Sequence, residues 1–153
     1  MTEFDAEAYN AASNMFAKAA MVRNSLPSLI AQIEDSVSML GSPVIDGMPK
    51  QRGGGNKTED RMVRHADVMS RMKEKQREYE QTLEDCESVV EAMEMDFDDN
   101  GAFLRYCFMQ GKSKSESARL CGYVREYGTE KSEIAIVHAA KYVRKLGLVL
   151  RYS

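Results

Sequence analysis

Two histidines, His65 and His138, and three cysteines, Cys86, Cys107 and Cys121, carry the side chains that hold metals or serve as nucleophile and base. Their spacing suits neither task. A structural zinc site needs cysteines or histidines a few residues apart, and here there is no CxxC and no ligand-spaced carboxylate beside either histidine. An odd number of cysteines cannot all pair within one chain. A lone His138 on a helix, with no nucleophile at helical spacing, suits packing or phosphate contact better than catalysis. Gly53-Gly54-Gly55 follows no strand and lacks the Lys-Ser/Thr of a phosphate loop. Neither an enzyme nor a cofactor is therefore expected.

The chemistry that remains is that of cations toward phosphate. The chain carries 21 Lys/Arg and 24 Asp/Glu, a net charge of −3. Residues 100–153 hold 10 of these Lys/Arg and 4 of the Asp/Glu, a local net of +6; residues 1–99 hold 11 and 20, a net of −9. An acidic part repels a polyanion and a basic part attracts it, so the two parts point to different partners. Double-stranded DNA is the partner expected for the basic one.

Two long helices are expected to carry that basic part. Tyr9, Ala12, Phe16, Ala19, Arg23, Leu26, Ile30, Ile33, Val37 and Leu40 follow one another in alternating steps of three and four. Met62, His65, Met69, Met72, Gln76, Tyr79, Leu83, Cys86, Val90, Met93 and Phe97 do the same. Each series lays one stripe along a helix and suits a coiled-coil seam. At about 1.5 Å per residue the stripes run roughly 48 and 54 Å, matched lengths that favour an antiparallel hairpin. Eleven methionines suit adaptable helix–helix contacts. Pro27 predicts a kink or short break, since proline removes a hydrogen bond and clashes with the preceding turn. Arg23, His65 and Gln76 are read as register-setting or wetted seam positions, and Cys86 as a small core residue. The Gly- and Pro-rich stretch 41–58 reads as a basic connection, with Asn56 or Thr58 capping the second helix.

The fold class is thus all-α: a hairpin over 1–98 followed by a small helix-turn-helix module over 99–153. Asp96, Asp98 and Asp99 suit a helix start better than a helix end, so Asp99 or Asn100 should cap a helix from Ala102 to Met109, stopped by Gly111. Ser113-Lys114-Ser115-Glu116 has the spacing of a capping box, and Gly122 the place of a left-handed stop. A longer helix should begin at Thr129 and end at Gly147, with Ile136, Ala139, Ala140, Val143 and Leu146 facing inward. A short helix closed by glycine ahead of a basic helix is the helix-turn-helix pattern. The alternation in Leu148 to Tyr152, with the β-prone stretch Tyr123 to Tyr127, suggests a small wing.

In such modules the N-terminal part of the last helix meets base edges in the major groove. Thr129, Lys131 and Ser132 are accordingly the base-reading candidates. Lys112, Lys114, Arg119 and Arg125 fit phosphate contact, and His138, Lys141 and Lys145 remain available to solvent or DNA. No apolar run is long enough to cross a bilayer and no secretory leader is read, so a cytoplasmic protein is expected.

Asp60-Arg61-Met62 at the start of the second helix, Leu104-Arg105-Tyr106, Gly122-Tyr123 and His138-Ala139-Ala140-Lys141 resemble the phage and prophage regulators of the ArpU and RinA type. Those are similar to the DNA-binding region 4 of sigma factors. The likeness covers most of the chain in layout. It departs from the family at Val124 to Val137, a longer interval between the Gly-Tyr turn and the histidine than the family has. The resemblance implies a transcription regulator of late genes, with RNA polymerase as a further partner. Exposed seam residues add an expected homo-oligomer, a dimer first. A ring-forming DNA-packaging protein like a small terminase subunit, and an adaptor that binds no DNA, stay open as alternatives.

Overall fold

The computed structural model describes residues 4–41 and 55–153, whose regular structure is all helical with no strand among them. The order is α1 (Ala6–Gly41), α2 (Gly55–Met95), α3 (Asp99–Leu104), which runs on into one π-helical turn (Arg105–Met109), α4 (Lys114–Leu120), a 3-10 turn (Arg125–Tyr127), α5 (Gly128–Lys145) and α6 (Val149–Tyr152). The long helices α1 and α2 form the expected hairpin. α1 continues through Pro27 without a break. The expected connection lies mostly outside the described residues. α2 is already helical at Gly55, ahead of the suggested caps Asn56 and Thr58.

Contacts divide the chain into two units. One comprises 1–24 with 80–153; the other comprises 25–79. In the first unit a single core joins the start of α1 and the end of α2 to the head. Ala8, Ala11, Ala12, Met15, Phe16 and Ala19 meet Cys86, Val89, Val90 and Met93, together with Phe103, Leu104, Ala118, Ala135, Ile136, Ala139, Ala140 and Val143. Four alanines on α1 make a broad, flat face on which neighbouring backbones sit close. That face is wider than one seam, because these neighbours come from several helices at once. Among the described residues of the second unit, Ile33 and Met69 are the buried ones.

Three helices end in the same way. At α4 the Tyr123 N–H donates to the Ala118 carbonyl and the Gly122 N–H to that of Arg119. Gly147 closes α5 with the same bond pair, so the predicted stops at Gly122 and Gly147 hold. At the end of α2 the left-handed position belongs to Phe97 (φ 59°), although its side chain is 96% exposed. The expected seam residue thus turns outward, because the helix has already ended at Met95. A side chain in this conformation costs about 1–2 kcal/mol, and glycine avoids it. Phe97→Gly is expected to stabilise the fold by about 1 kcal/mol, read as a higher urea midpoint. An unchanged or lower midpoint would refute that reading of Phe97.

The tail corrects the expectation of a wing. Residues 149–152 form a helical turn and 125–127 a 3-10 turn. A strand would place Leu148, Leu150 and Tyr152 on one side. Helical spacing instead buries Val149 and Tyr152 and leaves Leu150 in solvent. Tyr152 is fastened from two sides: its hydroxyl donates to the buried Asp85, and its carbonyl accepts from Asn14 Nδ2 at 2.9 Å.

Arg23 is no seam spacer. Its Nη1 donates to the Phe108 carbonyl at 2.8 Å, a group in the π-helical turn where the regular ladder is disturbed.

Candidate nucleic-acid interface

The pair α4–α5 is built as the sequence suggests, with one change at each start. Ser113 caps α4, its Oγ accepting from the Glu116 N–H at 3.1 Å. The Glu116 carboxylate turns outward instead of back to the cap. It accepts from Arg119 Nε at 3.0 Å and lies 3.6 Å from Arg125. These two cations hold Glu116 below the usual carboxylate range, the Arg119 hydrogen bond doing most. The cap of α3 is Asp98, ahead of the expected Asp99 or Asn100: its Oδ1 accepts from the backbone N–H and the side chain of Asn100 at 3.0 and 2.7 Å.

α5 begins one residue early, at Gly128, and that residue fixes the site. A Cβ there would stand 2.7 Å from the backbone carbonyl of Lys114 and 2.9 Å from the Ser115 nitrogen. Only glycine lets the first turns of α4 and α5 approach so closely. Lys112, Lys114 and Thr129 are all exposed around this junction. The Gly128 N–H is taken by the Arg125 carbonyl and the Glu116 N–H by Ser113, so the junction offers an anion the charges of Lys112 and Lys114 and the partial positive charge of the helix starts.

The acidic run before α3 is spent along one flank of α5. Tyr142 donates to Asp96 Oδ2 at 2.6 Å, and His138 Nδ1 lies 2.9 Å from Asp98 Oδ2. Since an ionised carboxylate only accepts, His138 Nδ1 carries the proton. Lys131 Nζ donates to Asp99 Oδ1 at 3.0 Å and sits 4.6 Å over the Tyr123 ring, whose hydroxyl also donates to Asp99. Positions 131, 138 and 142 share a helix flank by their spacing of seven and four.

This arrangement corrects the base-reading candidates. Lys131 is 3% exposed and Ser132 is buried, because the inward stripe of α5 runs back through Ala135 to both of them. The burial was legible: stepping back four residues from Ala135 and Ile136 reaches Lys131 and Ser132. Leu146, read as inward, is exposed, since it follows the last helical residue. His138 is half-exposed and held by Asp98. Thr129 stays open, and the outward face of α5 adds Glu130, Glu133, Ile134 and Val137, which sequence reasoning passed over.

The charge split is changed just as much. Six of the ten head cations lie in ion pairs: Arg105 with Glu87 and Glu94, Arg119 and Arg125 with Glu116, Lys131 with Asp99, Arg144 with Asp5 and Glu7, and Arg151 with Asp85. Lys112, Lys114, Lys141 and Lys145 have no ion pair among the described residues. The first two stand at the α4–α5 junction. The last two lie about 20 Å further along α5, at 1.5 Å per residue. Much of the +6 therefore neutralises the chain's own carboxylates.

Two carboxyls beside α5, Asp98 and Asp99, contribute acid sensitivity to the fold. Asp98 sits below its ordinary range: burial opposes this, but the hydrogen bonds from Asn100 and His138 outweigh it. Asp99 is lowered chiefly by the Tyr123 hydroxyl, then by Lys131. A lowered carboxyl contributes stability that is fully present above its unfolded value of about 4 and is lost as pH falls through the folded one. Urea midpoints should therefore hold from neutral pH to about 5 and drop below about 4. Asp98→Asn with Asp99→Asn should flatten that drop; an equal drop in the variant would place the sensitivity elsewhere.

Among the described residues no three His, Cys, Asp or Glu side chains group as a metal ion would need, and no helix is long and apolar enough to cross a membrane. The chain matches no protein-family model, no curated protein and no solved structure.

Proposed function

We propose that this protein is a phage-type DNA-binding transcription regulator of the cytoplasm, acting on late genes, and not an enzyme. The observation that supports it best is the junction at Gly128, where the starts of two helices meet beside the outward face of α5 and where Lys112 and Lys114 have no ion pair among the described residues. On this reading Lys112 and Lys114 hold phosphates at one end of α5, and Lys141 and Lys145 hold them at the other. Base reading falls to Thr129, Glu130, Glu133, Ile134 and Val137. A glutamate accepts from the cytosine amino group, and an apolar side chain fits the thymine methyl. RNA polymerase is the further partner of this reading, and homo-oligomerisation through the hairpin belongs to it.

Fluorescence titration of the full chain with duplex DNA across salt tests the proposal. Each phosphate neutralised contributes about −0.9 to the log–log slope, so four free lysines predict a slope of about −3 to −4. Candidate upstream DNA should bind more tightly than scrambled duplex. The six self-paired head cations favour a second reading, an adaptor whose head meets protein. Binding that is absent or indifferent to salt would select that reading and end the first.

A further inference from the structure

Residues 25–41 and 55–79 form a helix pair whose seam is partly wet among the described residues. Leu26, Ile30, Met72 and Tyr79 on the alternating stripes are only half-buried, and Val37 and Met62 are 48% and 59% exposed. Val63 and Val68 also face solvent. The two side chains buried among the described residues, Ile33 and Met69, are little apolar burial with which to order the described parts of two helices in water. The unsatisfied seam opens into a groove of about 440 Å³ lined by Val37, Ala66, Met69 and Ser70, with Lys73 and Arg77 at its edge.

The charges say what fits there. From Ser25 to Val37 the only charged residues are Glu34 and Asp35, both acidic and exposed. From Arg61 to Arg77, α2 has six Lys/Arg against two acids. The ion pairs shown for this unit, Arg71–Asp67 and Lys75–Glu78, lie within α2. Lys73, Arg77, Glu34 and Asp35 have no ion pair among the described residues. Opposite charges on the two helices are thus left unused by the single chain. An occupant of the groove needs an apolar stripe flanked by carboxylates and free of cations, and the stretch 25–37 of α1 in a second copy is such a segment.

We propose that two copies join through residues 25–37 of α1 and 61–77 of α2 as a two-fold four-helix bundle. The groove of each receives α1 of the other, with Glu34 and Asp35 against Lys73 and Arg77. A two-fold axis makes each contact twice, so one complementary pair of patches suffices to close the assembly. This gives the homo-oligomer of the functional reading a surface, and it is tested without DNA.

Sedimentation of the full chain should show a monomer–dimer equilibrium that weakens as salt rises. Lys73→Glu with Arg77→Glu should weaken the dimer at least tenfold, and so should Glu34→Lys with Asp35→Lys. Mixing the two variants should restore a dimer, since one charge-reversed groove then meets one charge-reversed helix. All four positions are exposed, and circular dichroism would show each variant helical. A wild-type chain that stays monomeric, or forms a higher ring, overturns the proposal. So do reversed variants that dimerise as tightly as the wild type, or a mixture that remains monomeric. A dimer that binds no DNA would leave this interface standing and remove the functional reading.

Discussion

Lys112→Ala together with Lys114→Ala is expected to cost roughly a hundredfold in affinity for duplex DNA at low salt and to make the log–log salt slope shallower by about two. These side chains are exposed, carry no ion pair among the described residues and flank the two helix N-termini that Gly128 brings together. Removing both gives up the release of about two counterions. The loss should be nearly equal on preferred and scrambled duplex, because phosphate contacts position the protein and carry no sequence information. Stability should hardly change, since neither residue is buried. A selective loss on the preferred sequence would instead make one of them a base reader, and an unchanged affinity would remove the junction from the interface.

Lys131→Ala acts on a different property. The residue is buried against Asp99 and the Tyr123 ring, and its removal leaves Asp99 without its cation and a gap beside the aromatic face. A charge-assisted hydrogen bond is worth about 1.5–3 kcal/mol, and the half-exposed Asp99 can recover part of this by hydration, so a loss of about 2 kcal/mol is expected. For a chain of this size that lowers the melting temperature by roughly 4–8 °C. Once binding is corrected for the folded fraction, the preference between DNA sequences should not move. Lys131→Met, which keeps the apolar stem, should recover part of the stability. A normal melting temperature with a changed sequence preference would return Lys131 to the surface and to base reading.

Much of the fold was legible because it is local. A stripe in steps of three and four needs only the geometry of one helix, and it located α1 and α2. Ser113, Gly122 and Gly147 act within a turn of themselves, and they marked helix ends correctly. Two of the failures involve a second element, and one a misplaced helix end. Lys131 and Ser132 look solvent-facing by type, yet the face they share with Ala135 and Ile136 is covered. The tail alternates like a strand, yet Asp85 and Asn14, far away in sequence, fasten it as a helical turn. Phe97 continues a seam on paper, but α2 has ended two residues earlier.

The residues alone settled that the chain is helical, where most helices stop, and that its cations gather toward the C-terminal end. Those properties follow from backbone sterics, capping and composition, which act over a few residues. Tertiary packing decided which cations remain free. Carboxylates from α2 and from the first residue of α3 occupy Arg105, Lys131 and Arg151. Charge is counted along a chain, but attraction acts through space, and only the folded arrangement leaves Lys112, Lys114, Lys141 and Lys145 to face a partner.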